Sequence, residues 1–199
     1  PAKVNLFLKI LHRRSDGFHE LETLFQAIDY CDDVLVELND LGQISLEVTG
    51  LEVGPVKDNL AYRAASAYRE ASGLQEGIHV QLTKHIPSGA GLGGGSSDAA
   101  AVLRGLDYLT ESLLDTEALS KIASNIGSDV SFFLCHSTTA LAHGRGEILE
   151  PIKPLPEEAL LLILPPVHVS TRNAYEMLGR SSNDNAHHTG LSLIRARRD

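Results

Sequence analysis

Three features of this chain could do chemistry together: a run of glycines between Gly89 and Gly95, a lysine at position 3 and an aspartate at position 129. The stretch Lys84 to Leu109, KHIPSGAGLGGGSSDAAAVLRGLDYL, carries five loop glycines (Gly89, Gly91, Gly93, Gly94 and Gly95) and then turns into a patterned helix. So many glycines are costly in chain entropy and call for a reason. Close approach is one. Without Cβ atoms the N–H groups of Gly91 to Ser97 can turn toward a single anion, and the helix that follows points its positive end at it. Phosphate suits such a cradle. Transfer of a phosphoryl group to an alcohol also needs a carboxylate to take the hydroxyl proton and a cation to stabilise charge. Asp129 and Lys3 are one candidate for each. Taken singly they have plainer readings, Lys3 as a solvated charge near a strand start and Asp129 as the cap of the turn after Gly127.

The neighbouring motifs narrow the chemistry. Gly89, Gly91 and Gly94 spell GxGxxG, but Lys84 to Pro87 separate them from the preceding strand and the region about 20 residues on is helical, so a dinucleotide fold is excluded. No GKS or GKT follows, so a standard P-loop is absent. A flexible linker would need neither Ser96-Ser97-Asp98 nor the helix behind it. Ser96 and Ser97 are expected to cap that helix, and one of them can also meet a phosphate. Asp98 would repel a phosphate and is expected to face away. Phe18 and His19 follow the turn Ser15-Asp16-Gly17, where the ring of Phe18 could stack on another ring and His19 supply hydrogen bonds. Nine histidines lie scattered without ligand spacing, so no metal site is expected.

Periodicity indicates the elements that must hold these groups. Val4 to Leu11 reads as a strand, and Leu24 to Ile28, Asp33 to Leu38 and Gln43 to Val48 as further strands in a meander. Asp58 to Ser72 reads as a helix capped by Asp58 and stopped by Gly73, with a small apolar face suited to lie close against a sheet. His79 to Leu82 is the strand entering the glycine loop and Ser96 to Thr110 the helix leaving it. Thr116 to Ile126 is a shorter helix ending at Gly127. Val130 to Leu134 reads as an apolar strand with Asp129 at its start, followed by short strands at Thr138 to Ala142 and Ile148 to Glu150. Pro151, Pro154 and Pro156 mark a boundary. Beyond it Ala159 to Leu164 has a buried-strand pattern, Thr171 to Leu178 a helical one, and Ser181 to His188 is polar and irregular. The expected class is α+β, a mixed sheet with helices packed on it over residues 1–150, then a partial α/β region over 151–199.

Size and charge set outer limits. At 199 residues and 43% apolar, the chain can bury a core. A net charge of -9 argues against a nucleic-acid surface. Cys31 and Cys135 lie far apart and are expected to be plain core residues of a reduced, cytoplasmic protein. No apolar run approaches membrane-span length, so no membrane partner is expected. The chain opens on Pro1 directly before a strand, which suggests a piece of a longer protein or one with an altered tail.

Four segments together resemble one family. They are PAKVNLFL at Pro1 to Leu8, GFHELET at Gly17 to Thr23, PSGAGLGGGSSDAAAVL at Pro87 to Leu103 and GSDVSFF at Gly127 to Phe133. They resemble the small-metabolite kinases of the galactokinase, homoserine kinase, mevalonate kinase and phosphomevalonate kinase (GHMP) superfamily. PAKVNL joined to GFHELET points within it to kinases of a cytidine-diphosphate-linked methylerythritol, in non-mevalonate isoprenoid synthesis. The resemblance implies that Asp129 is the base, that Lys3 polarises the hydroxyl and steadies the transferring group, and that Asn5 helps to place the substrate. It implies that Phe18 stacks on cytosine and His19 reads that base. Pro87, Gly89, Ala90, Gly91, Leu92, Gly93, Gly94, Gly95, Ser96 and Ser97 would hold ATP phosphates, with Asn59 and Lys84 lining the adenosine pocket. Magnesium would arrive with ATP. The location implied is the cytoplasm, or the plastid stroma in a plastid-bearing eukaryote. The family also carries a third glycine-rich motif in a C-terminal domain, and residues 151–199 contain no such motif. A sister kinase acting on another alcohol, and a non-catalytic nucleotide-binding relative, are the alternatives that the same residues allow.

Overall fold

The computed structural model describes residues 1–135 and 137–165. In chain order these form β1 (Ala2–Arg13), β2 (His19–Ile28), β3 (Asp33–Asn39), β4 (Ile44–Gly50), a short 3-10 turn (Val56–Asp58), α1 (Leu60–Ser72) and β5 (Gly77–Lys84). Then come α2 (Gly94–Leu109), α3 (Thr116–Ile126), α4 (Ser128–Leu134), β6 (Thr139–Gly144) and β7 (Ile148–Pro151). The α+β class stands.

The strands make two sheets. One is antiparallel in the order β1-β2-β6-β7, and the other runs β3-β5-β4 with β5 antiparallel to β3 and parallel to β4. A simple meander therefore does not describe the second sheet. The intervening helix α1 is what allows β4 and β5 to run parallel, since a parallel pair needs a crossover of a dozen or more residues. β5 takes the middle because Ile78, Val80 and Leu82 are fully buried, whereas β3 and β4 turn Leu35, Glu37, Ser45 and Glu47 to solvent.

Both sheets and all four helices share one core. Phe25, Ala140 and Ala142 enter it from the first sheet, Ile78 and Val80 from the second, and Ala61, Ala64, Ala65 and Tyr68 from α1. The small face of α1 does bring close packing, but chiefly on α2 rather than on a sheet. At Gly105 of α2 a Cβ would lie 3.2 Å from Val36 Cγ2, so this glycine lets the helix settle on β3.

Four expectations change. Asp58 ends the 3-10 turn, and Asn59 is the N-cap of α1, accepting from Ala61 N–H at 2.9 Å. Val130 to Leu134 is helical, not a strand: packing of Val130, Phe132 and Phe133 against α2 and α3 overrides their strand preference. Ala159 to Leu164 forms no strand, because no described strand pairs with it. Leu160, Leu161, Ile163 and Leu164 are exposed, and Leu162 reaches the small cluster of Ala2, Ile86 and Leu92. Cys31 is exposed rather than in the core, while Cys135 is half-buried, and both are free thiols. The helix expected at Thr171 to Leu178 and the tail from Ser181 lie outside the described residues. No helix among the described residues is long and apolar enough to cross a membrane.

Candidate active site

The glycine loop runs from the end of β5 into α2, and its glycines do two different jobs. Gly89, Gly91 and Gly93 have φ near +70°, the left-handed region that side chains resist, so they shape the turn. Gly93 and Gly94 also make room. A Cβ on Gly93 would sit 3.0 Å from Phe133 and 3.1 Å from the Lys3 side chain, and one on Gly94 would sit 2.8 Å from Ile86 and 2.9 Å from Lys84 Nζ. Gly89, Ala90 and Gly91 form the exposed tip, Pro87 is half-buried, and Leu92 is buried against Ala2 and Ile86 as the anchor of the loop.

Helix α2 opens at Gly94 with Gly93 as its N-cap and no capping side chain. Ser96 and Ser97 thus lie inside the first turn rather than ahead of it, and their expected capping role is corrected. Ser97 N–H closes on the Gly93 carbonyl at 2.9 Å. The N–H groups of Gly94, Gly95 and Ser96 are the first three of the helix and have no carbonyl behind them in the helical pattern. They are donors for an anion. Asn59 reaches this region through its neighbour Leu60, which lies 3.7 Å from where a Gly95 Cβ would be, but its own Oδ1 is occupied in capping α1.

Lys3 meets Asp129 beside this loop. Its N–H donates to the Leu92 carbonyl at 2.8 Å, which ties β1 to the loop and delivers the side chain to Gly93. The residue is only 6% exposed, so the reading as a solvated charge is wrong. Lys3 Nζ donates to Asn5 Oδ1 at 2.8 Å, lies 3.5 Å from Asp129 Oδ2 and sits 5.1 Å from the centre of the Phe25 ring. Asn5 in turn donates to Thr23 Oγ1 at 2.8 Å, and Thr23 donates to the Phe7 carbonyl at 2.6 Å. This relay fixes the amide of Asn5, and so the ammonium. Asp129 stands in the first turn of α4, with its side chain 31% exposed and therefore open to a reactant. Phe132 holds α4 in place by packing 5.1 Å from Phe25 and 5.2 Å from Phe133.

Lys84 is not in the mouth of the site. It is 3% exposed, and its ammonium lies beneath Gly94, paired with Asp32 and, at 2.9 Å, with Asp98. The expected place in an adenosine pocket gives way to one under the loop. Asp98 faces away from the loop, as expected. Burial raises its pKa to about 6, with Lys84 acting in the opposite direction. Sequence reasoning missed Thr23 and Asp32. The signal for Thr23 was two-residue alternation with Phe25. For Asp32 it was a lysine ending an apolar strand, which needs a buried counter-charge.

Phe18 and His19 sit elsewhere on the first sheet. Gly17, at φ +87°, turns the chain so that Phe18 stands 53% exposed, and Arg145 from the β6–β7 turn lies over its ring at 4.6 Å. His19 begins β2 and pairs with Arg13, whereas Lys3 pairs with Ala27. Eight steps along β2 separate the two places, about 26 Å at ~3.3 Å per residue. Only an extended molecule could touch both.

Residues 59–137 match the family model of the GHMP kinases N terminal domain. Over that stretch the chain is similar to a GHMP kinase N-terminal domain. Among its relatives is the 4-diphosphocytidyl-2-C-methyl-D-erythritol kinase of Shouchella clausii, 43% identical over 178 residues, which are 89% of this chain and 60% of that protein. The chain thus spans about three fifths of the length of the curated relatives it matches. A crystal structure of 4-(cytidine 5'-diphospho)-2C-methyl-D-erythritol kinase is 47% identical, with a TM-score of 0.64 over 76% of this chain and 53% of that one. Homoserine kinase from Cytophaga hutchinsonii shares the fold alone, at 23% identity and a TM-score of 0.54 over 88% of this chain and 60% of its own. The glycine loop, α2 and α4 all fall inside the matched residues.

Proposed function

We propose that the protein is an ATP-dependent kinase that phosphorylates the 2-hydroxyl of 4-diphosphocytidyl-2-C-methyl-D-erythritol. The observation that carries this is the meeting of Lys3 and Asp129, 3.5 Å apart, beside the glycine loop and the uncapped start of α2. ATP lays its phosphates against the N–H groups of Gly94, Gly95 and Ser96. Asp129 takes the hydroxyl proton as the alcohol oxygen attacks the terminal phosphorus. The bond to the bridging oxygen breaks and ADP leaves. Lys3, held by Asn5, offsets the charge that builds on the transferring group. Phe18 stacks on the cytosine and His19 reads its edge. The length needed to span Lys3 and Phe18 favours a nucleotide-linked alcohol over a compact one. Magnesium bound to ATP supplies charge neutralisation. Among the described residues no group of three His, Cys, Asp or Glu could hold a metal, so the phosphates would be its main ligands.

The test is ADP release by the intact gene product given ATP, magnesium and the cytidylyl-methylerythritol. We expect turnover that is lost without the alcohol. No ADP above background would overturn the kinase reading. For the substrate, Phe18→Ala is expected to raise the KM for the cytidylyl alcohol about tenfold or more while leaving that for ATP unchanged. An unchanged substrate KM would instead favour a sister kinase with another alcohol.

A further inference from the structure

Behind the glycine loop lies a charge cluster that the reaction above does not use. Asp32, in the turn between β2 and β3, accepts from His85 N–H at 2.5 Å and Ile86 N–H at 2.8 Å and pairs with Lys84. Asp98, in α2, pairs with the same ammonium at 2.9 Å. All three side chains are nearly fully buried. The cluster therefore joins the exit of β5, the β2–β3 turn and the start of α2, three segments that frame the loop.

We propose that Asp98 is a positioning residue of the nucleotide loop and that its charge sets how tightly the loop holds a triphosphate. This rests on the kinase reading. Two carboxylates share one ammonium, so with both ionised the cluster carries one surplus negative charge out of water. Lys84 Nζ is 2.9 Å from where a Gly94 Cβ would be, so the ammonium lies just behind the first donor of α2 and the two carboxylates that carry the surplus sit one ion-pair distance from it. A polyphosphate arriving in front of Gly94 meets this charge through low-dielectric protein. A proton on Asp98 cancels it. The charged groups acting on Asp98 are Lys84 from β5 and Asp32 from the turn. Among the described residues, the buried side chains of the helices packed on α2 are alanines and Tyr68 from α1, Leu119, Ile122 and Ala123 from α3, and Val130, Phe132 and Phe133 from α4. Lys3 stands across Gly93, on the face where the phosphates go.

The experiment is calorimetric titration of the intact protein and of Asp98→Asn with a non-hydrolysable ATP analogue and magnesium, from pH 5.5 to 8. Asparagine has the same size and still accepts from Lys84, but it carries no charge. At pH 8 the variant is expected to bind about two- to tenfold more tightly than the parent, and the ratio should shrink toward one at pH 5.5. Comparing the two proteins in each buffer cancels the titration of the analogue itself. Asp32→Asn provides an independent arm. It removes the repulsion that helps keep a proton on Asp98, so the pH step should move lower. A ratio that stays near one at every pH, or a variant that binds more weakly throughout, would reduce Asp98 to a packing residue. Failure of the parent to bind the analogue at all would count instead against the kinase reading.

Discussion

A buried lysine costs several kcal/mol unless it is paired, and the two buried lysines among the described residues are paired in contrasting ways. Lys3 has an amide acceptor on one side and a half-open carboxylate on the other, so the pair presents Asp129 to a reactant beside the ammonium. Lys84 has two enclosed carboxylates and no such opening. One lysine is built to work, the other to hold. Asp129→Asn keeps the size of the side chain but removes the proton acceptor. Turnover is expected to fall about 100-fold or more with ATP binding retained, read by steady-state kinetics beside a nucleotide titration. Equal activity would sink the assignment. Asp98 has a stability consequence too. Burial holds its folded pKa near 6, above the ordinary 3.8, so the stabilisation tied to its proton is complete below about pH 4 and is lost as pH rises through 6. Asp32 has the opposite sign. Its pKa is lowered by Lys84 and by the His85 and Ile86 N–H groups against an opposing burial effect, so its contribution is lost in acid. Asp98→Asn should therefore melt higher than the parent by roughly 5 °C at pH 7.5, with the gap closing near pH 4.

At the level of elements, the glycine loop shows why position in a motif does not predict tolerance. Gly91 and Gly93 share a left-handed backbone, but a Cβ on Gly91 meets nothing within 4 Å, while one on Gly93 meets Phe133 and Lys3. Gly91→Ala should cost only the backbone strain, about 1 to 2 kcal/mol in urea unfolding. Gly93→Ala adds the displacement of Lys3 and Phe133. It should cost more stability and reduce kcat at least tenfold as well, because the ammonium shifts away from Asp129. Equal effects from the two variants would show that the crowding around Gly93 relaxes freely. Helix α4 teaches a related lesson. Seven residues are too few to hold a helix by propensity, so its shape comes from burying Val130, Phe132 and Phe133, and that same burial aims Asp129 at Lys3.

For the molecule as a whole, the proposed catalytic pair depends on the shared core. Phe132 is fully buried between Phe25 of the sheet and Phe133 of its own helix. Phe132→Ala should cost about 3 to 5 kcal/mol and lower activity along with stability, whereas Tyr108→Ala, on a side chain 83% exposed, should stay within about 0.5 kcal/mol. Chemical denaturation of both variants checks this. Much of this design was legible in residue order. The α+β class, the helices α1, α2 and α3, the glycine loop and the candidates Lys3 and Asp129 follow from periodicity, turn residues and the need of phosphate chemistry for those groups, because such signals are local. Other features were not legible. The insertion of β5 between β3 and β4, the helical state of Ser128 to Leu134, the Asn5–Thr23 support of Lys3 and the burial of Lys84 between Asp32 and Asp98 all depend on partners distant in sequence. Local pattern can nominate a charged residue for chemistry. Only the packing around it decides whether its charge is open to a reactant, like Asp129, or enclosed with a counter-charge, like Lys84, because the cost of burying a charge depends on what the fold places beside it.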